Sequence, residues 1–450
     1  GALPLPVEII QQVKIGPTLG ERAINASAEA AVIGLILTGL FIIMVYRLVG
    51  FLATVALASY TLLAYAMLLA LGATLTLPGL AGFVLAIGMA IDANVLVFER
   101  SREEYEDYPS GGLKRSLMVG FNKAWTAIID SNVTTLLAAG LLFLLATGPV
   151  KGFGVTLSIG VVASMISALI IARVLTEVAV SMKSVNTRPR ITGLGSIGPV
   201  RTWLDRKNPD LMGRRKLWLT VSAVALIIAI GGIAFKGLNL GVEFTGGRVM
   251  EYSTTQTLDI DDAREAVGEA GFTEAVVQSA DADKIAVRTG RITAEEQESI
   301  RAALAEASGG EATIEVDEQL SASLGSELRN KALIAFGIAL LAQMLYLAIR
   351  FKWTFGVSAV AAMFHDVIIV VGIFAWLGKP IDAVFLAAAL TIIGLSVNDT
   401  VVVFDRVREK WRGTVDERFA DVSNKATLDT LPRTVNTGLG AMFILAALAI

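Results

Sequence analysis

Two aspartates and an arginine sit in apolar stretches where charge is costly. Asp92 lies in GMAIDANVLVF, Asp399 in GLSVNDTVVVF and Arg433 in LPRTVNTGLG. An ionisable group in hydrocarbon costs at least about 2.5–3.5 kcal/mol on insertion scales, so each needs a reason. Asp399 precedes Asp405 by six residues, roughly 9 Å along a helix, and Asp92 lies at a similar depth before Glu99. Arg433 stands a few residues inside the following apolar segment, so packing of the two antiparallel helices would make an Asp399–Arg433 ion pair. Burial disfavours charge on a carboxylate and a neighbouring guanidinium restores it, so small movements can load or release a proton. The chemistry on offer is a proton relay of Asp92, Asp399 and Arg433. Ion pairs that merely lock helix packing are the alternative.

Asp130 and Asn132 in DSNVTTLL, Asn398 beside Asp399, and His365–Asp366 in AAMFHDVIIV form a second rank of relay or polar-lining candidates. Asp130 also reads as a helix cap or interfacial group. Glu99, Arg100, Asp405 and Arg406 read as solvated helix ends. Catalytic residues are not expected. An aspartyl-protease dyad of Asp92 and Asp399 needs carboxylates about 3 Å apart sharing one proton. The chain reads GLSVND rather than GxGD, and Arg433 would hold Asp399 ionised. No cysteine is present and His365 is the single histidine, so neither a metal centre nor a cofactor is expected.

The elements that must position these residues are membrane helices. Hydrophobic residues make up 54% of 450 positions and come in blocks of about 20, the length that spans a bilayer core. Ten segments emerge: 28–46, 48–71, 77–98, 125–147, 153–182, 217–235, 331–350, 354–377, 382–405 and 430–450. The loop 183–216 carries nine Lys/Arg, and loops 99–124 and 406–429 are also basic, whereas the alternate loops are nearly bare. By the positive-inside rule the basic loops face the cytoplasm, and residues 1–27 and 238–330 face the other side.

The insert 238–330 reads as strand, helix, strand or hairpin, helix, strand, a β-α-β-β-α-β order of ferredoxin-like type. It is acidic rather than basic, so nucleic acid is not an expected partner. Gly241, Gly246 and Gly247 in LGVEFTGG are read as shaping the junction between the sixth span and this outer domain.

The segments 71–104 and 377–410 align without a gap at an offset of 306 residues and share the polar tail F-[ED]-R-x-R-E. In this alignment Asp92 meets Asn398 and Ala93 meets Asp399. The expected fold is therefore a polytopic helical bundle of two duplicated halves, a known transporter design. Its parts are residues 28–182 as a first five-helix half, 183–216 as a basic linker, 217–237 as the first helix of the second half, and 331–450 as the rest of that half.

GMAIDANVLVFERSREE and AIIDSNVTTLL resemble the signature helices of SecD, and LGVEFTGG, AAMFHDVIIVVG, GLSVNDTVVVFDRVRE and TLPRTVNTG resemble those of SecF, in that order along the chain. The whole chain thus resembles the SecD/SecF protein-export family of the RND superfamily. The resemblance implies a twelve-helix RND-type bundle, with a first helix and a large first periplasmic domain before residue 1 and a last helix after residue 450. Residues 1–27 would be that domain's return to the membrane. The family's essential aspartates fall on Asp92 and Asp399 and its arginine on Arg433. Two departures stand out: Glu243 where the family usually has aspartate, and TGLGAM at 437–442 where it often has TS-x-TTL.

The resemblance further implies a multi-pass protein of the bacterial inner membrane that works with the Sec channel and its motor ATPase. It would draw unfolded preprotein outward in a late, ATP-independent stage driven by protons. The rival readings are an RND-type exporter of lipids or small amphiphiles, which usually has larger outer domains, and a passive scaffold whose charges are structural.

Overall fold

The computed structural model describes residues 11–15, 17–145, 149–281, 284–413 and 417–448. The remaining parts of the expected 1–27 return segment and of the last span, residues 1–10, 16, 449 and 450, lie outside the described residues. The described chain divides into two compact units. One comprises Leu238–Ile334, Leu377–Leu386 and the described part of Gly1–Asn25; the other comprises Ala26–Gly237, Ala335–Trp376 and the described part of Ala387–Ile450.

Uniform apolarity over 20 or more residues makes long helices, because only internal hydrogen bonding satisfies the backbone in lipid. The first half holds α1 (Pro17–Ala70), α2 (Leu77–Ala90), α3 (Asp92–Asp107), α4 (Gly112–Leu145), α5 (Pro149–Ile166) and α6 (Arg173–Ser181). Short helices α7 (Lys183–Asn186), α8 (Pro189–Thr192) and α9 (Pro199–Lys207) form the basic linker, and α10 (Arg215–Lys236) follows. The later helices are α14 (Ala322–Arg350), α15 (Trp353–Leu377), α16 (Ala383–Gly413) and α17 (Phe419–Leu448), after α11 (Val242–Thr245), α12 (Ile260–Glu269) and α13 (Ala294–Ala307) of the unit that begins at Leu238.

Among the described residues nine helices are long and apolar enough to cross a membrane, and the chain is a multi-pass membrane protein. The first of them accounts for two of the ten expected segments. Arg47 has φ 50° and ψ −120°, which breaks the helix. Beyond it the chain runs back on itself, so that Thr54 Oγ1 donates to the Gly39 carbonyl at 3.4 Å. Two further interruptions mark the first half: the ladder breaks at Ile91, immediately before Asp92, and a π-helical turn at Ser167–Ala172 separates α5 from α6. Helix α2 packs on α5, α3 on α4, and α17 on α2, α3 and α9. Tyr46, Leu57, Tyr60, Ile87 and Phe98 are fully buried in the core of this bundle.

The other unit carries one sheet, ordered β1-β5-β2-β4-β3, with β1 Gln11–Ile15, β2 Gly247–Thr254, β3 Val276–Asp281, β4 Lys284–Thr289 and β5 Ala312–Leu320. All its ladders are antiparallel. The order β2-α12-β3-β4-α13-β5 is the expected β-α-β-β-α-β. Along β2 burial alternates, as strand geometry requires, turning Met250 and Tyr252 onto Ile285, Val287, Ile300 and Leu304. The strand β1 comes from the expected return segment and pairs with the edge of β5, Gln11 opposite Leu320.

Candidate functional site

Helices α3, α16 and α17 bring Asp92, Asp399 and Arg433 together. Arg433 Nη1 donates to Asp399 Oδ1 at 2.8 Å, and Arg433 Nη2 donates to Asp92 Oδ2. Asn398 Nδ2 donates to that same Asp92 oxygen at 2.5 Å. One guanidinium thus serves two carboxylates, one from each half of the repeat. The side chain of Arg433 is 3% exposed, that of Asp92 15% and that of Asp399 45%, so Asp399 is the more open end of the triad.

Next to Asp92 lies a cavity of about 20 Å³, lined among others by Asn398, Arg433, Ser131, Asn132, Thr135 and Ser164. Asp92 Oδ1, Asn398 Oδ1 and Arg433 Nε are buried without a hydrogen-bond partner among the described residues. The hydroxyls of Ser131, Thr135 and Ser164 bond to carbonyls of their own helices, as does the Asn132 amide.

The second-rank residues separate. Asp130 turns to α14, where it accepts from Tyr346 Oη and Arg350 Nε, both at 2.9 Å. Asp366 bridges His365 Nδ1 at 3.0 Å and Ser396 Oγ at 2.7 Å. Ser396 stands one turn before Asp399 on α16.

The repeated tail F-[ED]-R-x-R-E is not a pair of solvated helix ends. Glu99, Arg100, Asp405 and Arg406 are all buried. Sequence proximity to a basic loop suggested solvation, but the two tails are packed against each other and their charges are matched internally. Arg406 Nη2 meets Glu103 Oε2 at 2.8 Å and Arg100 Nη1 meets Glu409 Oε2 at 3.3 Å. Within each half, Glu99 holds Arg102 at 3.0 Å and Asp405 holds Arg408 at 2.8 Å. Arg102 and Arg408 then donate to the carbonyls of Val45 and Arg350 and stack on Tyr46 and Phe351. The first arginine of the tail crosses to the other half, and the second caps the helical hairpin of its own. The offset of 306 residues, applied to each charge of the tail, was the available signal.

Gly246 and Gly247 take positive φ, +75° and +125°, where β2 begins, and the Gly241 N–H donates to the Ile381 carbonyl at 2.8 Å. Around this segment burial holds the Glu243 and Asp382 carboxyls above the usual carboxylate range, and the charge of Asp382 adds to the effect on Glu243. Glu318 is pushed up to about 7 by burial and by the charges of Glu243 and Asp382. Among the described residues no group of three or more His, Cys, Asp or Glu could hold a metal ion.

The family model for the protein export membrane protein SecD/SecF, C-terminal, matches residues 4–182 and 300–450, and the SecD/SecF GG motif matches residues 231–258. The protein translocase subunit SecDF of Thermus thermophilus is 37% identical over 455 residues, covering 100% of this chain and 60% of that protein. That of Bacillus subtilis is 29% identical over 465 residues, covering 100% and 62%. A crystal structure of SecDF, a translocon-associated membrane protein, from Thermus thermophilus matches with a TM-score of 0.89 at 35% identity, covering 99% of this chain and 60% of that one. A second, of SecDF in super-membrane-facing form, matches with a TM-score of 0.72 at 35% identity over 100% of this chain and 60% of that one. The chain therefore spans about 60% of the length of these relatives.

Proposed function

Because the chain belongs to the SecD/SecF family of protein export membrane proteins, we propose that it is a proton-driven accessory of the Sec translocation machinery in the bacterial inner membrane. It relays protons through Asp92, Asp399 and Arg433 while promoting the late, ATP-independent export of unfolded preprotein on the outer face. Its partners in this reading are the Sec channel and the motor ATPase, and it has no catalytic residues and no cofactor.

The observation that carries the reading is the sharing of Arg433 between two carboxylates. Two carboxylates and one guanidinium leave one negative charge unbalanced, and an unbalanced charge shared with the enclosed Asp92 and Arg433 is expensive. A proton taken up by either aspartate neutralises the set and weakens that residue's hold on Arg433. Asp399, the more open residue, is the entry or exit, and Asp92 the enclosed station. A water in the adjacent cavity has the acceptors Asp92 Oδ1 and Asn398 Oδ1 and the donor Arg433 Nε as partners. Each proton crossing the membrane supplies about 2.3 kcal/mol per 100 mV, enough to bias a conformational equilibrium severalfold.

The test arrests a preprotein partway through the channel in vesicles carrying the complete protein, removes ATP and imposes a proton gradient. Completion of export in the wild type, lost in Asp399→Asn and Arg433→Met, is expected. Completion indifferent to the gradient, or unchanged in both variants, overturns the relay.

A further inference from the structure

The repeated tail is not used by the relay, yet with Arg201 and Asp429 it forms a cluster of three guanidiniums and three carboxylates, of which only Glu409 is exposed to any large extent. Arg406 bridges Glu103 at 2.8 Å, Glu409 at 2.9 Å and Asp429 at 2.9 Å. Arg100 bridges Glu409 at 3.3 Å and Glu103 at 3.4 Å. Arg201 of the linker helix α9 closes the set on Glu103 at 2.8 Å. The first arginine of each tail therefore grips the glutamate of its own helix and the matching glutamate of the other half. Arg100 and Arg406 are repeat mates, as are Glu103 and Glu409, all at the offset of 306.

The cluster lies on the helices that carry the relay. Arg100 is eight residues beyond Asp92 and Arg406 seven beyond Asp399, roughly 10–12 Å nearer the basic end. On α17, Asp429 and Arg433 are four residues apart and hence on one face, the first in the cluster and the second in the triad. Pro432 stands between them inside the helix, where it cannot donate to the carbonyl of Leu428. A helix missing that bond bends there more readily than elsewhere.

We propose that the reciprocal pairs Arg100–Glu409 and Arg406–Glu103 form a gate that closes the basic, cytoplasm-facing end of the interface between the two halves. Helix α17, hinged at Pro432, links this gate to the triad. Closed, it bars protons because its guanidiniums and carboxylates neutralise one another across the interface and, Glu409 apart, are shielded from water. Loss of the Arg433 contact to a protonated aspartate frees α17 to shift, which draws Asp429 from Arg406 and loosens the reciprocal pairs. The linking role rests on the relay reading; the closure does not.

The test uses the absence of native cysteine. Leu96→Cys, which lines the cavity beside Asp92, is placed in the complete protein in vesicles and labelled from the cytoplasmic side with a charged, membrane-impermeant thiol reagent. Slow labelling is expected with the gate intact. Arg406→Gln should raise the rate about tenfold, with Arg406→Lys, which keeps the charge, in between. Glu409→Gln, half-exposed and the milder change, should raise it about threefold and keeps the test valid should Arg406→Gln fail to fold. Unchanged rates in Glu409→Gln and in every folded Arg406 variant overturn the gate. Proton leak without preprotein is read in parallel. A leak in Arg406→Gln that Asp399→Asn abolishes supports the link to the triad. Faster labelling with no leak upholds the closure and overturns the relay instead.

Discussion

Asp92 and Asn398 are repeat mates, 306 residues apart, and they touch: the Asn398 amide donates to Asp92 Oδ2 at 2.5 Å. Two equivalent residues can meet only near the axis that relates the halves, so this contact marks that axis. The duplication has diverged there. Two aspartates at this position would face each other as like charges. An aspartate and an asparagine instead make a hydrogen bond, and Asp399 supplies the second carboxylate one residue along.

Replacing Asn398 tests that division. Asn398→Leu removes a donor from a buried carboxylate and should cost about 1–3 kcal/mol of stability. Asn398→Asp adds a third carboxylate around one guanidinium, and the site should then hold one more proton at neutral pH. Thermal unfolding reads the first, and proton uptake measured against wild type on shifting pH reads the second. An Asn398→Asp protein with unaltered proton uptake would show that the three carboxylates do not share one site.

The repeat also contains an ion pair with its charges exchanged. Lys123 meets Glu104 at 2.9 Å in the first half, and at the same offset Asp429 meets Lys410 at 2.6 Å in the second. Lys123→Glu alone should destabilise the bundle, since it sets like charges side by side. Adding Glu104→Lys, which copies the arrangement of the other half, should recover part of that loss, with a coupling of about 0.5–1 kcal/mol. Recovery stays partial because Arg115 also contacts Glu104, at 3.1 Å. A double-mutant cycle by thermal unfolding in detergent measures it, and a coupling of zero would mean that the pair contributes nothing.

These contacts explain what could be read in advance. The apolar segments, the element order of the sheet-bearing unit and the pairing of Asp399 with Arg433 follow from local composition and from two neighbouring antiparallel helices. That Arg433 also serves Asp92 does not follow. The two are 341 residues apart, and helices apolar on every face carry no periodicity that says which face meets which neighbour. The contact of Asp130 with Tyr346 and Arg350 is hidden for the same reason. Charged tails such as FERSREE look solvated because each is judged alone, whereas here their partners are one another. Strand β1 escaped because five residues, QQVKI, are too short to separate from an extended linker.

The sheet-bearing unit should lose stability as pH rises. Glu318 is held at about 7 against an ordinary 4.5, so between those values the folded protein binds more protons than the unfolded chain. Its contribution is therefore greatest below about 4.5 and declines as pH climbs through 7. Glu243 and Asp382 are displaced in the same direction and add to the trend. Glu318→Gln removes the cost, and its advantage over wild type should grow with pH to about 1–3 kcal/mol above neutrality. Hydrogen exchange of β2 and β5 in both proteins, compared at pH 5.5 and 8.5, is the measurement. Equal protection of the two at pH 8.5 would count against the carboxylate cluster.

Glycine at 246 is required by more than its backbone angle. Gly72 and Gly246 share a left-handed φ, +60° and +75°. A side chain at 72 meets open space, whereas a Cβ at 246 would lie 2.5 Å from Ala322 Cα and 2.7 Å from its nitrogen. Gly72→Ala should thus carry only the conformational cost, about 1–2 kcal/mol. Gly246→Ala adds a clash with backbone that cannot step aside without moving the start of α14, and its cost should exceed about 3 kcal/mol. Limited proteolysis of the sheet-bearing unit, followed alongside thermal unfolding, distinguishes the two, because only the 246 variant should open the β2–β5 edge. Similar losses in both variants would reduce the role of this glycine to a turn.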